Sequence, residues 1–238
     1  MSEYNHQYVS NFFQRYSLPE ADRKYIDFHK YRFAFVLNQI KISQEREDLS
    51  VLDIGPSFLT NLVSETFSEF QMETLGLHNS LVNKKDEIGH FYQDLNFIGE
   101  SDELPKSKYD LVLFAEVLEH LYTDPRVILK GIHKLMKPGA TLLLQTPNAV
   151  SIDKRIKMIT GKNPYQFIIP NRQNHFREYT GKELRDYLNL SGFRVLRLYY
   201  SNYFNPNTSP THRFFRKSGP YIPPSWRDGI TIICQAII

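Results

Sequence analysis

The stretch that most constrains this chain is Val51-Leu52-Asp53-Ile54-Gly55-Pro56-Ser57-Phe58-Leu59-Thr60. An apolar run ends at an acidic residue, a glycine turn follows, and a helical pattern begins. A buried parallel strand hands over to a helix in this way in an α/β sheet. Such a turn brings backbone N–H groups and a helix N-terminus up to a ligand.

The rest of the chain supplies strands and helices to place around that turn. The apolar residues Ile26, Phe33, Val36, Leu37 and Ile40 predict a helix over 25–42, after a polar and aromatic stretch over 1–24 with no firm period. Residues 44–50 are a charged connector. Strands are expected at 51–54, 72–77, 87–93, 109–115, 141–145, 193–200 and 230–238, and helices at 59–70, 125–135 and 153–159. Lys137-Pro138-Gly139-Ala140 reads as a turn. Thr180 and Glu183 have capping-box spacing, so Thr180 is expected to cap a helix that ends at Ser191-Gly192. Two strands near the end without a helix between them imply an antiparallel pair on an otherwise parallel sheet.

The 238 residues suit one α/β domain, and the 41% hydrophobic content allows a sizeable core. An N-terminal helical segment over 1–50 is expected to precede a domain over 51–238, with long insertions at 149–179 and 202–229. A net charge of +3 is far from the dense basic blocks that call for nucleic acid. Cys234, the one cysteine, excludes an internal disulfide and a cysteine-built metal site, and its apolar run predicts a buried thiol. No metal site is expected. The N-terminus lacks an apolar signal core and no run is long enough to span a bilayer, so a soluble cytoplasmic protein is expected.

Ligands of open α/β sheets bind beyond the carboxyl ends of the strands. The residues there are Asp53 and Gly55 to Ser57, then His78, Asp94, Ala115 to His120, and Thr146 to Asn148. Together they are small, polar and convergent, as a nucleotide-like cofactor requires.

In this order these residues carry a resemblance. Val51 to Gly55, Gln93-Asp94-Leu95, Tyr109 to Val112, Glu116 to Leu121, Leu135 to Gly139 and Thr146-Pro147-Asn148 resemble the class I S-adenosylmethionine-dependent methyltransferases. The branch most like it holds the ubiquinone-biosynthesis O-methyltransferases. His175-Phe176-Arg177-Glu178-Tyr179-Thr180 extends the likeness, which covers roughly 51–200. The family implies a Rossmann-like, doubly wound, seven-stranded and mostly parallel sheet with one antiparallel strand. It implies S-adenosylmethionine as cofactor and methyl transfer to an oxygen or nitrogen of a small-molecule acceptor, with a sugar or glycan precursor suggested by analogy.

Carried over by position, the resemblance assigns Asp53, Gly55, Pro56 and Ser57 to the first cofactor turn. Asp94, with Leu95 beside it, would take the adenine amino group, and Ala115 and Glu116 would line the cofactor. His78 stands where the family usually has an acidic residue for the ribose hydroxyls. Ser57 and Leu59 stand where two further glycines usually follow Gly55. His175 and His120 are the candidates for a base that deprotonates a hydroxyl acceptor. His212, Arg213, Arg216 and Lys217, with Phe214 and Phe215, make a basic cluster that could pair with a substrate anion. The expected partners are a small-molecule acceptor and, as an admissible assembly, a homodimer. The alternatives are a non-catalytic methyltransferase-fold binding or scaffold subunit, favoured by the two departures, and RNA modification, suggested by the basic, aromatic 202–229 stretch. A nicotinamide dehydrogenase is disfavoured because Gly-x-Gly-x-x-Gly is absent.

Overall fold

The computed structural model describes residues 3–43, 48–78, 88–100, 104–106, 108–169, 174–202 and 221–237. Seven strands form one sheet in the order β3-β2-β1-β4-β5-β7-β6. They are β1 (Ser50–Ile54), β2 (Gln71–Gly76), β3 (Gly89–Tyr92), β4 (Tyr109–Ala115), β5 (Met136–Pro147), β6 (Phe193–Ser201) and β7 (Gly229–Ala236). The first five pair in parallel. β7 lies between β5 and β6 and is antiparallel to both. The expected antiparallel pair therefore forms, and its last strand sits inside the sheet rather than at the edge. The Rossmann-like fold read from the sequence is the fold observed.

Period-two alternation along β1 divides the core. Leu52 and Ile54 face a core shared with α4 (Pro125–Leu135) and α6 (Gly181–Leu190). Val51 faces the other core, with α1 (His6–Gln14), α2 (Glu20–Ser43) and α3 (Phe58–Thr66). A short α5 (Ile152–Ile159) buries none of its residues.

Several elements differ from expectation, among them α3, which ends at Thr66 rather than near residue 70. α1 forms within the stretch that lacked a firm period: Asn5 caps it by accepting from the Tyr8 N–H, and it buries only Val9, Phe12 and Phe13. α2 begins at Glu20 rather than near residue 25; its first turn is charged and shows no apolar period, so periodicity alone does not reveal the start. Lys137 to Ala140 lies within β5 rather than between elements. Here five residue steps of β5 (Met136 to Thr141) oppose two of β4 (Tyr109 to Leu111), and Gly139 takes up the bend at φ +80°.

Cys234 is fully buried. Among the described residues, no helix is long and apolar enough to cross a membrane. The winding reverses between β1 and β4, which places a crevice beyond the carboxyl ends of those strands.

Candidate functional site

The crevice is built on the turn after β1. Asp53 is buried there, and its Oδ2 accepts from Thr60 Oγ1 at 2.5 Å. The same Thr60 oxygen accepts from the Ser57 N–H at 2.8 Å, and Ser57 Oγ accepts from the Leu59 N–H, closing a capping box at the start of α3. Burial pushes the Asp53 carboxyl up to about 7, against the opposing effects of the Thr60 hydrogen bond and the Arg32 charge. Asp53 thus holds the turn from behind.

Gly55 occupies the left-handed region at φ +79°, and a Cβ on it would lie 2.5 Å from Val117 Cγ2. Its N–H donates to the Leu75 carbonyl at 2.8 Å. Gly76 is less tightly confined, since a Cβ there would lie 3.2 Å from Pro56 Cδ. Backbone, not side chain, therefore forms this edge of the crevice.

The crevice is a cavity of about 270 Å³. Its walls come from four strand ends: Gly55 and Pro56; Gly76, Leu77 and His78; Gln93 to Asn96; and Glu116, Val117, His120 and Leu121. Of the residues expected from sequence, Gly55, Pro56, His78, Asp94, Leu95, Glu116 and His120 line it. Asp53, Ser57 and Ala115 do not. Gly76, Leu77, Gln93, Asn96 and Leu121 were missed, although all but Gly76 directly adjoin an expected residue.

Asp94 Oδ1 accepts from the Asn96 N–H at 3.0 Å and from its Nδ2 at 2.9 Å. Asn96 Oδ1 in turn accepts the Tyr122 and Thr123 N–H groups, which fastens this wall to the segment after β4. Glu116 adopts φ +58°, an uncommon conformation for a residue with a side chain. Burial raises its carboxyl, partly offset by Arg32 and His175.

Arg32 was not anticipated. It is 3% exposed, on the buried stripe of α2 with Val36 and Gln39. Its Nη1 donates to Gln145 Oε1 at 3.4 Å, and its Nε to His29 Nδ1 at 3.2 Å. Burial and the Arg32 charge push the His29 imidazole down to about 2, so it stays neutral and can accept. The available signal was a cation at an apolar phase of a helix.

His120 and His175, distant in sequence, meet edge to face with ring centroids 5.0 Å apart. Backbone bonds bring them together: the Glu119 carbonyl accepts from the Phe176 and Arg177 N–H groups at 2.6 and 3.1 Å. His120 Nδ1 lies 3.2 Å from the Asn174 carbonyl. His175 Nδ1 lies 2.8 Å from Glu178 Oε1, and Lys154 pairs with the other oxygen of Glu178. Burial would raise the Glu178 carboxyl, but the His175 hydrogen bond and Lys154 outweigh it and hold it below the ordinary value.

Glu119, within the expected span from Ala115 to His120, is completely buried. Its Oε2 accepts from Thr146 Oγ1 at 3.0 Å, and its Oε1 has no hydrogen-bond partner among the described residues. Burial, then the neighbouring Glu116 charge, pushes its carboxyl well up.

A second cavity, of about 370 Å³, opens on the far side of His120. Tyr122, Ile168, Ile169, Asn174, His175 and Phe176 complete its wall. His120 thus stands between the two cavities. Asn148 does not reach either. Its Nδ2 donates to the Ser225 and Arg227 carbonyls at 2.8 and 2.7 Å and so anchors the end of the long connection before β7. The basic cluster from His212 to Lys217 lies outside the described residues.

A family model described as a methyltransferase domain matches residues 20–198. No curated protein matches the chain. Among solved structures, a complex between the Haloferax volcanii Trm112 methyltransferase activator and a methyltransferase aligns at TM-score 0.62 and 12% identity, over 96% of this chain and 98% of that one. A S-adenosylmethionine-dependent methyltransferase from Archaeoglobus fulgidus aligns at 0.57 and 15%, over 86% and 94%. Burkholderia thailandensis 1,6-didemethyltoxoflavin-N1-methyltransferase, with its substrate and S-adenosylhomocysteine bound, aligns at 0.56 and 13%, over 97% and 87%.

Proposed function

We propose, for a chain that belongs to the class I S-adenosylmethionine-dependent methyltransferase family, that it methylates a hydroxyl oxygen of a small molecule at the junction marked by His120. The observation that carries this reading is that one side chain lines both cavities, so a donor in the first and an acceptor in the second would meet beside it.

The first cavity fits the donor: Gly55 and Gly76 leave their backbone bare, and at Gly55 a Cβ would collide with Val117. The turn from Gly55 to Ser57 would take the methionine end, with Asp53 and Ser57 holding its shape and Ala115 behind it. His78 would pair with the ribose hydroxyls, as a neutral imidazole can. Asp94 would accept from the adenine amino group with Leu95 against the ring, and Glu116 would close the wall. When bound, S-adenosylmethionine supplies a sulfonium methyl group that is displaced in line.

Alignment and exclusion of water are the main demands of such a displacement. A hydroxyl acceptor must also lose its proton, and the His120–His175 pair is where this chain handles it. The Glu178 carboxylate accepts from His175 Nδ1, which leaves the lone pair of the neutral ring on Nε2. Ile168, Ile169, Tyr122 and Phe176 suit a hydroxyl carried on an aromatic or alkyl body.

The test is methyl transfer from labelled S-adenosylmethionine to a panel of phenols, hydroxylated alkyl compounds, amines and nucleotide sugars. A phenol is expected to be methylated, with His175→Ala lowering kcat about 100-fold or more and leaving S-adenosylhomocysteine affinity unchanged. If His175→Ala and His120→Ala both keep full turnover, the proton-handling assignment is wrong. Turnover of amines or sugars alone would move the acceptor to that class.

A further inference from the structure

We propose that Glu119, His120 and His175 form a binding site for one divalent transition-metal ion at the junction of the two cavities. Their donor atoms all lie within 4.8 Å of one another, and Glu119 Oε1 is 4.0 Å from His120 Nε2. An ion held at roughly 2.0–2.2 Å from nitrogen and oxygen needs donors about 3–3.5 Å apart. Small side-chain rotations close that gap.

The independent observation is Glu119. A completely buried carboxyl group with one oxygen that finds no partner among the described residues is costly, and such an oxygen calls for an explanation. Here the orphaned oxygen is the one nearest His120. The other is held by Thr146, which orients the group.

Both imidazoles are also set for metal binding. A carbonyl can only accept, so His120 Nδ1 beside Asn174 carries the proton and Nε2 keeps its lone pair. The Glu178 carboxylate does the same for His175, and Lys154 steadies Glu178 from the other side. Partners of this kind fix the tautomer of metal-bound histidines. Two imidazoles and a carboxylate, without thiolate, suit an ion of the manganese, iron, cobalt or zinc type better than magnesium or calcium. Three protein donors leave positions open toward the cavities.

The use of the ion rests on the methyl-transfer reading; its binding does not. An acceptor hydroxyl on the ion would release its proton to solvent more readily. Its oxygen lone pair then forms the O–CH₃ bond while the S–CH₃ electron pair stays on sulfur, leaving a neutral thioether. The imidazole pair would then act by holding the ion, not by taking the proton directly.

The test uses the full chain, stripped with a chelator and titrated with Co²⁺. The readouts are visible absorption, calorimetry and thermal stability. Saturable one-to-one binding with a new visible band is expected. His120→Ala and His175→Ala should each weaken it at least 10-fold, and Glu178→Gln, a positioning change, about 10–100-fold. Glu119→Gln should weaken it too, while leaving the stripped protein as stable as the unaltered chain or more so.

The idea is overturned if Co²⁺ gives neither heat nor a band at millimolar concentration, or if both histidine variants bind like the unaltered chain. S-adenosylhomocysteine is titrated into the same samples. Donor binding without Co²⁺ binding sinks the ion alone, whereas Co²⁺ binding without donor binding sinks the methyl-transfer reading alone.

Discussion

Gly55→Ala tests the first turn most sharply, because two separate costs can be read from the structure. The position has φ +79°, and holding an alanine in the left-handed region costs roughly 1–2 kcal/mol. The new Cβ would also stand 2.5 Å from Val117 Cγ2, and overpacking of this kind costs about 1–3 kcal/mol. The expected loss is therefore about 2–5 kcal/mol in urea unfolding, accompanied by weaker S-adenosylhomocysteine binding as the turn shifts. The two parts separate in a Val117→Ala background, where the colliding methyl is gone. There the same substitution should cost only the conformational part, about 1–2 kcal/mol. A Gly55→Ala protein within about 0.5 kcal/mol of the unaltered chain would refute the reasoning. So would a full cost that persists without the Val117 methyls.

Two further perturbations address the supports of the site. Asp53 has its folded pKa raised from 3.8 to about 7, so the folded state holds the proton more tightly. Its contribution to stability is complete below about pH 4 and is lost as pH rises to about 7, by at most about 4 kcal/mol. Asp53→Asn keeps a neutral acceptor for Thr60, so its advantage in urea unfolding should grow between pH 4 and 7; a constant difference would contradict the burial argument. Thr180→Ala removes the side chain that accepts the Glu183 N–H and should cost about 1 kcal/mol in thermal unfolding. No change would mean that α6 is held by its buried Leu184 and Leu188 alone.

Much of the frame was legible because local chemistry and the fold agree. The apolar run of β4 lies between neighbours on both sides, so its continuous hydrophobicity reads as a buried parallel strand. The Thr180 cap involves contacts only three residues apart. The turn at Gly55 is marked by the glycine its left-handed backbone requires. What could not be read depends on distant partners. β7 resembles any apolar strand, and its position between β5 and β6 follows from pairing that no local pattern encodes. Arg32 is an ordinary helical arginine until α2 packs it beneath the site, near Gln145. Glu119 acquires its character only when the His175 loop folds over its carbonyl. The candidate site shows the same division. Residues directly after strands were anticipated, whereas Asp53 and Ser57 support the turn instead of lining the crevice.

The central claim is that the crevice beyond β1, β2 and β4 holds the methyl donor. Calorimetric titration of the full chain with S-adenosylhomocysteine, repeated with Asp94→Ala, tests it most directly. The account predicts one-to-one binding in the micromolar range, weakened by the substitution. At about 100 times the dissociation constant, such binding adds about 2.7 kcal/mol and raises Tm by roughly 5–10 °C for a chain of this size. No heat and no change in Tm at millimolar ligand would contradict the account, and would return the fold to the reading of a non-catalytic binding subunit.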